Sequence, residues 1–519
     1  MQTDDLIFYE VYPKSFCDSD GDGLGDLEGV RSKIGYLKDL GVNAVWITPC
    51  YESPNVDNGY DVADYRKISE EMGGNEVFDR LLKELHGNGI KVILDLVANH
   101  TSDKHEWFLQ AKSSKNNPYR EYYIWRKTPP NGWQSTFGGG SAWEFDERTQ
   151  EYYLHSYAVE QPDLNWDNKA VRKEICDVVD FWLNKGVDGF RCDVLDQISK
   201  VFEDEKGNGN GPHLHEYIHE LFGRKKTKDC FTVGECWAAN GENVSLFCGK
   251  DRGELTTVFA FDHLCLENEK FILKKPCLRE VCKRMADWQL LTQKIGVVNT
   301  LFLENHDQAR SVSRFGNDTN YRYESATMLG GLTLLQRGIP FLFQGQEIGV
   351  TNSHHTDISE FNDVETLNYY QETTELSKEE RLARINAMGR DNARRLMPWT
   401  DKDEPSWIAA YSRKNEINVE KDRADEKSVF AFYQRLIALR KAERAISKGD
   451  FAVLELDDTH YAFERRYEGE KIVVCCGFEK GAKLEKGVEG EVLLNNYSDF
   501  SGKKLLPYQL VVLRAKGLQ

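Results

Sequence analysis

Short apolar runs recur along the first two-thirds of the chain, and several are followed by a stretch with helical spacing. The runs occupy residues 6–12, 42–48, 91–97, 187–194, 230–235, 258–262, 298–305 and 338–345. They are dense in Val, Ile, Leu and Phe with little alternation, as expected of strands buried on both faces of a parallel sheet. Between them, 30–40 places Ile34, Leu37 and Leu40 on one helical face, and 78–86 and 171–185 are similarly amphipathic. Strands that alternate with helices imply right-handed crossovers. Eight such units predict an α/β chain folded as a (β/α)8 TIM barrel, with its site at the C-terminal ends of the strands.

The rhythm breaks after the third strand. Residues 101–168 are aromatic and rich in Gly and Pro, including NGWQSTFGGGSAW at 131–143. An insertion of that size in a barrel is usually functional. A polar, irregular excursion spans roughly 345–401, and an amphipathic helix is expected over 428–443. From about Ser447 the pattern becomes short strands with turns (FAVLEL, HYAFERRY, KIVVCCGF, EVLLNN, LVVLR), which predicts a small antiparallel β-domain. The expected organisation is a barrel from 1–100 and 169–446, an inserted domain at 101–168, and a C-terminal β-domain at 447–519.

Composition narrows the function classes. The 519 residues carry a formal charge of −18, which argues against nucleic acid or an anionic membrane as partner and leaves a neutral ligand such as a sugar open. Aromatic residues are 12% of the chain, which suits stacking on sugar faces as well as a large core. No run approaches the ~18 apolar residues of a membrane span. The acidic start MQTDDLIFYEVYP has no signal-peptide character. The 12 Cys are scattered without a CxxC, and Cys176, Cys192, Cys230, Cys475 and Cys476 fall in apolar segments. Free thiols and a reducing, cytoplasmic location are expected.

Candidate chemistry gathers at the strand ends. In GVDGFRCDVLDQ (186–197), Arg191 and Asp193 share a strand face, so the Arg favours an ionised Asp. Alone, that pair fits a structural ion pair as well as a nucleophile. Glu235 and Asp307 stand at the ends of later strands. Three such carboxylates match retaining glycoside hydrolysis, which needs one ionised nucleophile and one protonated acid ~5–5.5 Å apart. Glu235, flanked by Gly234, Cys236 and Trp237, is expected to keep its proton through desolvation. His100 and His306 are candidate donors to sugar hydroxyls. Near the first strand, DSDGDGLGD (18–26) alternates carboxylates with Gly. Asp18, Asp20, Asp22, Gly23, Leu24 and Asp26 match an EF-hand loop in part, but Gly29 replaces its closing Glu and no helix precedes it. The expectation is a structural divalent cation, Ca2+ ahead of Mg2+, and no organic cofactor.

DLVANH (95–100), QPDLN (161–165), GFRCDV (189–194), GECW (234–237) and ENHDQ (304–308) occur in this order, after YEVYPKSF (9–16). Together they resemble the α-amylase superfamily, within its oligo-1,6-glucosidase and α-glucosidase branch. The resemblance implies Asp193 as nucleophile, Glu235 as general acid/base and Asp307 as the grip on the 2- and 3-hydroxyls. It also implies Arg191, His100 and His306 as their partners, Tyr60 stacking on the terminal glucose, and Asp61 on the outer hydroxyls. An Arg of RDNAR would close the pocket, Arg394 ahead of Arg390. The Asp18–Asp26 loop, with the Leu24 carbonyl, would be the family's cation site, and 101–168 its B domain. Trp133, Phe137, Trp143 and Tyr157 are candidates for the pocket wall or for core packing.

Val194, directly after the nucleophile, is the residue typical of α-1,6-acting members. The implied activity is exo-acting, retaining hydrolysis of isomaltose and short isomalto-oligosaccharides by a monomer or weak homo-oligomer. The alternatives are an α-1,4-glucosidase, a trehalose-6-phosphate hydrolase, a sucrose-isomerising relative and a non-catalytic binding homologue. A phosphate site would need a basic cluster, for which Lys200, Arg394 and Arg395 are the candidates. Three features depart from the family: Arg395–Leu396 in place of Thr-Pro, Asp196 where Asn is usual, and GECW.

Overall fold

A computed structural model describes residues 3–204, 209–266, 270–484 and 489–515. Eight parallel strands form the central sheet: β1 (Phe8–Val11), β2 (Ala44–Ile47), β3 (Lys91–Val97), β4 (Gly189–Asp193), β5 (Phe231–Glu235), β6 (Thr257–Phe259), β7 (Thr300–Leu301) and β8 (Ile339–Phe343). Their order, β6-β5-β4-β3-β2-β1-β8-β7, is a (β/α)8 barrel with one seam lacking a backbone ladder, between β6 and β7. Two side chains bridge that seam. Thr257 Oγ1 donates to the Val298 carbonyl (2.7 Å) and Thr300 Oγ1 to the Val258 carbonyl (3.0 Å). The expected strands at 258–262 and 298–305 are accordingly shorter, since neither has a ladder on that side.

Aromatic rings fill the barrel. Phe8 stacks on Phe341 (4.6 Å between centroids) and meets Phe231 (4.9 Å), while Phe259 packs edge-on against Phe341 (4.9 Å). Helix Lys169–Lys185 leads into β4. Asn168 caps its start by accepting the Ala170 N–H, and Gly186 ends it at φ 104°, a left-handed position suited to Gly. Gly189 is needed for contact: a Cβ there would lie 2.0 Å from the Phe231 carbonyl on β5. The helix expected over 30–40 is two, Leu27–Ser32 and Ile34–Leu40, separated at Lys33.

The segment after β3 carries helix Glu106–Ser113 and a three-stranded antiparallel sheet, Trp125–Arg126, Trp143–Asp146 and Glu151–Leu154. It rejoins the barrel through an antiparallel bridge between His100 and Asp163. The C-terminal sheet is antiparallel, β9 (Asp450–Leu456), β10 (His460–Tyr467), β11 (Glu470–Gly477), β12 (Gly490–Asn495) and β13 (Leu510–Ala515), ordered β9-β10-β11-β13-β12. Its inner face shares one hydrophobic core with the barrel. Arg465 and Arg440, both buried, donate to the Leu335 and Leu334 carbonyls just before β8. All 12 cysteines are free. No helix among the described residues is long and apolar enough to cross a membrane.

Candidate active site

At the C-terminal ends of the strands the inward positions change from apolar to ionic within two residues. Phe8 is followed on its face by Glu10, Val233 by Glu235, and Gly189 by Arg191 and Asp193. So many buried charges persist because they are paired. Arg191 is the hub. Its Nη1 donates to Asp95 Oδ1 (2.6 Å) and Asp193 Oδ1 (2.7 Å), and its Nη2 to Glu235 Oε2. Glu235 Oε2 also accepts the Val194 N–H (3.2 Å), and Oε1 accepts the Trp237 indole N–H (2.8 Å).

The electrostatics differ from the simple pairing expected. Burial pushes the Asp193 carboxyl well above the usual range. Arg191 opposes this, and Glu235 and Asp95 reinforce it. One guanidinium is divided among three carboxylates, so it does not by itself keep Asp193 ionised. Asp193 and Glu235 share the Arg191 guanidinium, one on each of its terminal nitrogens.

Val194 was expected to be the last residue of a strand. The strand instead ends at Asp193, and Val194 adopts φ 33°, ψ 45°, a left-handed conformation costly for a β-branched residue at roughly 1–3 kcal/mol. That turn aims its N–H at Glu235. The side chain packs with Phe137, Tyr157 and Ala158 at the pocket wall. Phe137 and Tyr157 thus line the pocket, whereas Trp133 and Trp143 pack with Ile124 and Leu154 in the insertion's own core.

Opposite lies a second ionic group. His306 Nδ1 bonds Glu10 Oε1 (2.6 Å), and its Nε2 meets Asp307 Oδ2 (3.0 Å) and the Tyr60 hydroxyl (2.8 Å). Burial lowers the His306 pKa, but Asp307 and Glu10 outweigh it and raise it to about 9, so the ring is an imidazolium at neutral pH. Tyr60 stacks on that ring at 5.2 Å. Asp307 is 27% exposed into the pocket. Enclosure would raise its carboxyl, yet His306, Arg390 and Arg394 hold it well below the usual range.

Two expectations are corrected here. Asp61 is fully buried, and its oxygens accept the Val56 (2.8 Å) and Asp57 (3.0 Å) N–H groups, leaving none facing a ligand. Asp57 lines the pocket instead. Burial raises its carboxyl to about 6, against the pull of Arg390 and Arg394. Of the two arginines, Arg390 faces the pocket and spans Asp307 (3.2 Å), Asp57 (3.5 Å) and Asp363 (2.5 Å). Arg394 lies behind it, on Asp307 (2.6 Å) and Asp363 (3.3 Å). His100 lines the pocket in neutral form, since burial lowers its pKa to about 4, and Gln161 Nε2 links it to Asp57. The cavity is about 420 Å3, the size of a small-ligand site.

Asp95, Glu10, Asp57 and Asp363 were not singled out from the sequence. Asp95 lies inside DLVANH and Glu10 inside YEVYP, so alternation on their strands offered a signal. Asp57 and Asp363 lie in loops, where no period assigns a direction.

Away from the pocket, Asp18, Asp20 and Asp22 bring one carboxylate oxygen each within 4.8 Å of one another. N–H groups of Asp20, Gly21 and Gly23 converge on Asp18 and outweigh its partial burial, which holds its pKa below the usual value. Asp26 is not in that group. It caps helix Leu27–Ser32 by accepting the Gly29 N–H (2.7 Å), and its other oxygen accepts the Ser19 N–H (2.9 Å). The Leu24 N–H bonds Asp22 Oδ1 (2.7 Å), which folds the loop back on itself.

Comparison with known proteins places these features in context. A family model described as the alpha-amylase catalytic domain matches residues 10–449. An oligo-1,6-glucosidase of Heyndrickxia coagulans is 42% identical over 98% of each chain. A glucan 1,6-alpha-glucosidase of Streptococcus dysgalactiae subsp. equisimilis is 41% identical over 90% of this chain and 89% of its own. The crystal structure of a trehalose-6-phosphate hydrolase of Bacillus licheniformis superposes with a TM-score of 0.92 at 38% identity, covering 99% of each chain.

Proposed function

The chain belongs to the alpha-amylase family, and from that premise we propose that it is a retaining, exo-acting α-glucosidase that removes terminal α-1,6-linked glucose from isomaltose and short isomalto-oligosaccharides. The observation that carries the reading is Arg191 shared by Asp193 and Glu235 at a pocket that Asp57, Asp307 and Arg390, joined by ion pairs, also line. Both carboxyls sit on one guanidinium, an arrangement that suits the ~5–5.5 Å pair of a retaining enzyme rather than the ~6.5–9.5 Å an inverting pair needs for its water. Asp193 attacks the anomeric carbon while Glu235 protonates the departing oxygen. Positive charge developing on the sugar ring favours the ionised Asp193. Glu235 then takes a proton from a water whose oxygen attacks the anomeric carbon and displaces the Asp193 carboxylate, which releases glucose with its configuration retained. Asp307 holds the 2- and 3-hydroxyls, Asp57 with Arg390 the outer ones, and Tyr60 and His306 the sugar face.

The α-1,6 preference is supported by the activities named for the relatives and by Val194, which offers the leaving sugar an apolar wall without a hydrogen bond. A phosphorylated substrate is disfavoured by the state of the basic side chains. Lys200 is buried on Asp163 (2.9 Å), Arg394 on Asp307 and Asp363, and Arg395 on the Glu360 and Ala409 carbonyls. Lys270 at the rim is paired with Glu365. The Asp18, Asp20 and Asp22 carboxylates suit a hard divalent cation, Ca2+ ahead of Mg2+, with the Leu24 carbonyl as a further oxygen. Free, largely buried thiols suit a reducing, cytoplasmic setting.

A panel of isomaltose, panose, maltose, sucrose, trehalose and trehalose-6-phosphate tests the reading. Isomaltose is expected to have a kcat/KM roughly tenfold or more above maltose. A maximum at trehalose-6-phosphate, conversion of sucrose to an isomer, or no turnover at all contradicts it.

A further inference from the structure

Two of the departures from the family pattern, Asp196 and the GECW segment, meet in space. Asp196 lies in the short turn Leu195–Gln197 that follows the strained Val194, and it is only 2% exposed. Its Oδ2 accepts the Ala238 N–H at 2.6 Å, while its Oδ1 has no hydrogen-bond partner. Ala238 follows Trp237, whose indole N–H is on Glu235 Oε1. The indole is backed by Phe261, stacked at 4.0 Å and 12°, and Trp237, which lines the pocket, is 48% exposed. The Ala238 carbonyl is held as well, by Asn243 Nδ2 at 2.8 Å. The turn therefore grips the acid arm at two points: Val194 N–H on Glu235 Oε2, and Asp196 on the peptide that carries Trp237.

We propose that Asp196 is a positioning residue for the general acid: it fastens the peptide after Trp237 so that the indole N–H orients the Glu235 carboxyl toward the departing oxygen. The proposal rests on the α-glucosidase reading. Glu235 is held by Arg191 and Val194 on one oxygen alone, which leaves rotation about that oxygen to the Trp237 contact. Proton transfer is sensitive to such alignment, because the acid must reach the oxygen along its lone pair.

Asp196 faces Glu235, Lys200, the Cys236 thiol and the Tyr157 hydroxyl. Burial raises its pKa to about 7, with the Ala238 N–H and Lys200 opposing and Glu235 reinforcing. Below that pH the carboxyl still accepts the Ala238 N–H. Above it the carboxylate adds negative charge beside Glu235, and neighbouring carboxyls resist being ionised together.

The experiment compares isomaltose, whose leaving group needs a proton, with α-glucosyl fluoride, whose leaving group needs little. D196A is expected to lower kcat/KM on isomaltose by roughly tenfold more than on the fluoride, a factor equal to ~1.4 kcal/mol. W237F, which keeps a ring but removes the N–H, is expected to show the same imbalance. D196N keeps an acceptor for Ala238 but cannot ionise. It is expected to recover the isomaltose-to-fluoride ratio while moving the alkaline limb of the isomaltose pH profile to lower pH. Equal losses on both substrates in D196A and W237F mean that Asp196 only staples the fold, and overturn the proposal. If D196A does not fold, a wild-type ratio in W237F together with an unshifted D196N profile overturns it. Wild-type enzyme inactive on both substrates overturns the α-glucosidase reading itself.

Discussion

At the scale of single residues, Val194 and His306 carry opposite lessons. Val194 sits in a conformation that β-branched residues avoid, and the alternation of its neighbours pointed to an ordinary strand end. Only the contact of its N–H with Glu235, 41 positions away in sequence, explains the turn. Its side chain lines the pocket, so V194T, which offers a hydroxyl there, is expected to lower the isomaltose-to-maltose ratio of kcat/KM. An unchanged ratio removes the linkage argument. His306 was legible as a strand-end histidine, but its charge was not, because Glu10 comes from β1 and Asp307 is adjacent. Its pKa in the fold, about 9, lies above the ordinary value near 6.5. The stabilisation is therefore complete below about pH 6.5 and is lost as pH rises through about 9. Thermal melts from pH 6 to 10 are expected to show Tm falling across that window, and H306Q is expected to flatten the fall.

Among elements, the decisive unit is the contact between the barrel loops and the short helix Asp391–Arg394. Asp57 and Asp307 come from loops after β2 and β7, Asp363 precedes helix Val364–Glu372, and Arg390 joins all three. Asp61 and the arginines of RDNAR were singled out in the sequence, yet Asp57 was not, and which arginine faces the pocket was not readable. Asp57 and Asp61 are four residues apart in a loop, and only the chain's own amides decide between them, by occupying Asp61. Arg390 and Arg394 are likewise four apart, and burial puts the second behind the first. R390K keeps the positive charge that the buried carboxylates require but loses the fork geometry. It is expected to raise KM for isomaltose by roughly tenfold with a smaller change in kcat, as loss of uniform binding does. A fall in kcat alone would move Arg390 out of the glucose-holding group.

For the molecule as a whole, eight parallel strands and a C-terminal antiparallel sheet were readable from hydrophobic runs and alternation, because burial on both faces or one leaves those patterns. The β6–β7 seam was not readable: its threonine bridges are tertiary contacts, and the two runs looked like longer strands. The acidic loop at Asp18–Asp22 lies between β1 and helix Leu27–Ser32, remote from the pocket residues in role. A cation bound there would stabilise by binding the native loop only. Chelation is expected to lower Tm, Ca2+ to restore it, and D20N to abolish the difference. A Tm indifferent to chelator and Ca2+ would leave the loop as a self-bonded turn.

The most direct test of the account is covalent capture at the centre of the barrel. Brief reaction with a 5-fluoro-α-glucosyl fluoride, followed by peptide mass analysis, traps the glycosyl-enzyme of a retaining enzyme. The prediction is one fluoroglucosyl group on Asp193, absent in D193N. A label on Glu235 or Asp307, or turnover of isomaltose to β-glucose with no trapped enzyme, would contradict it.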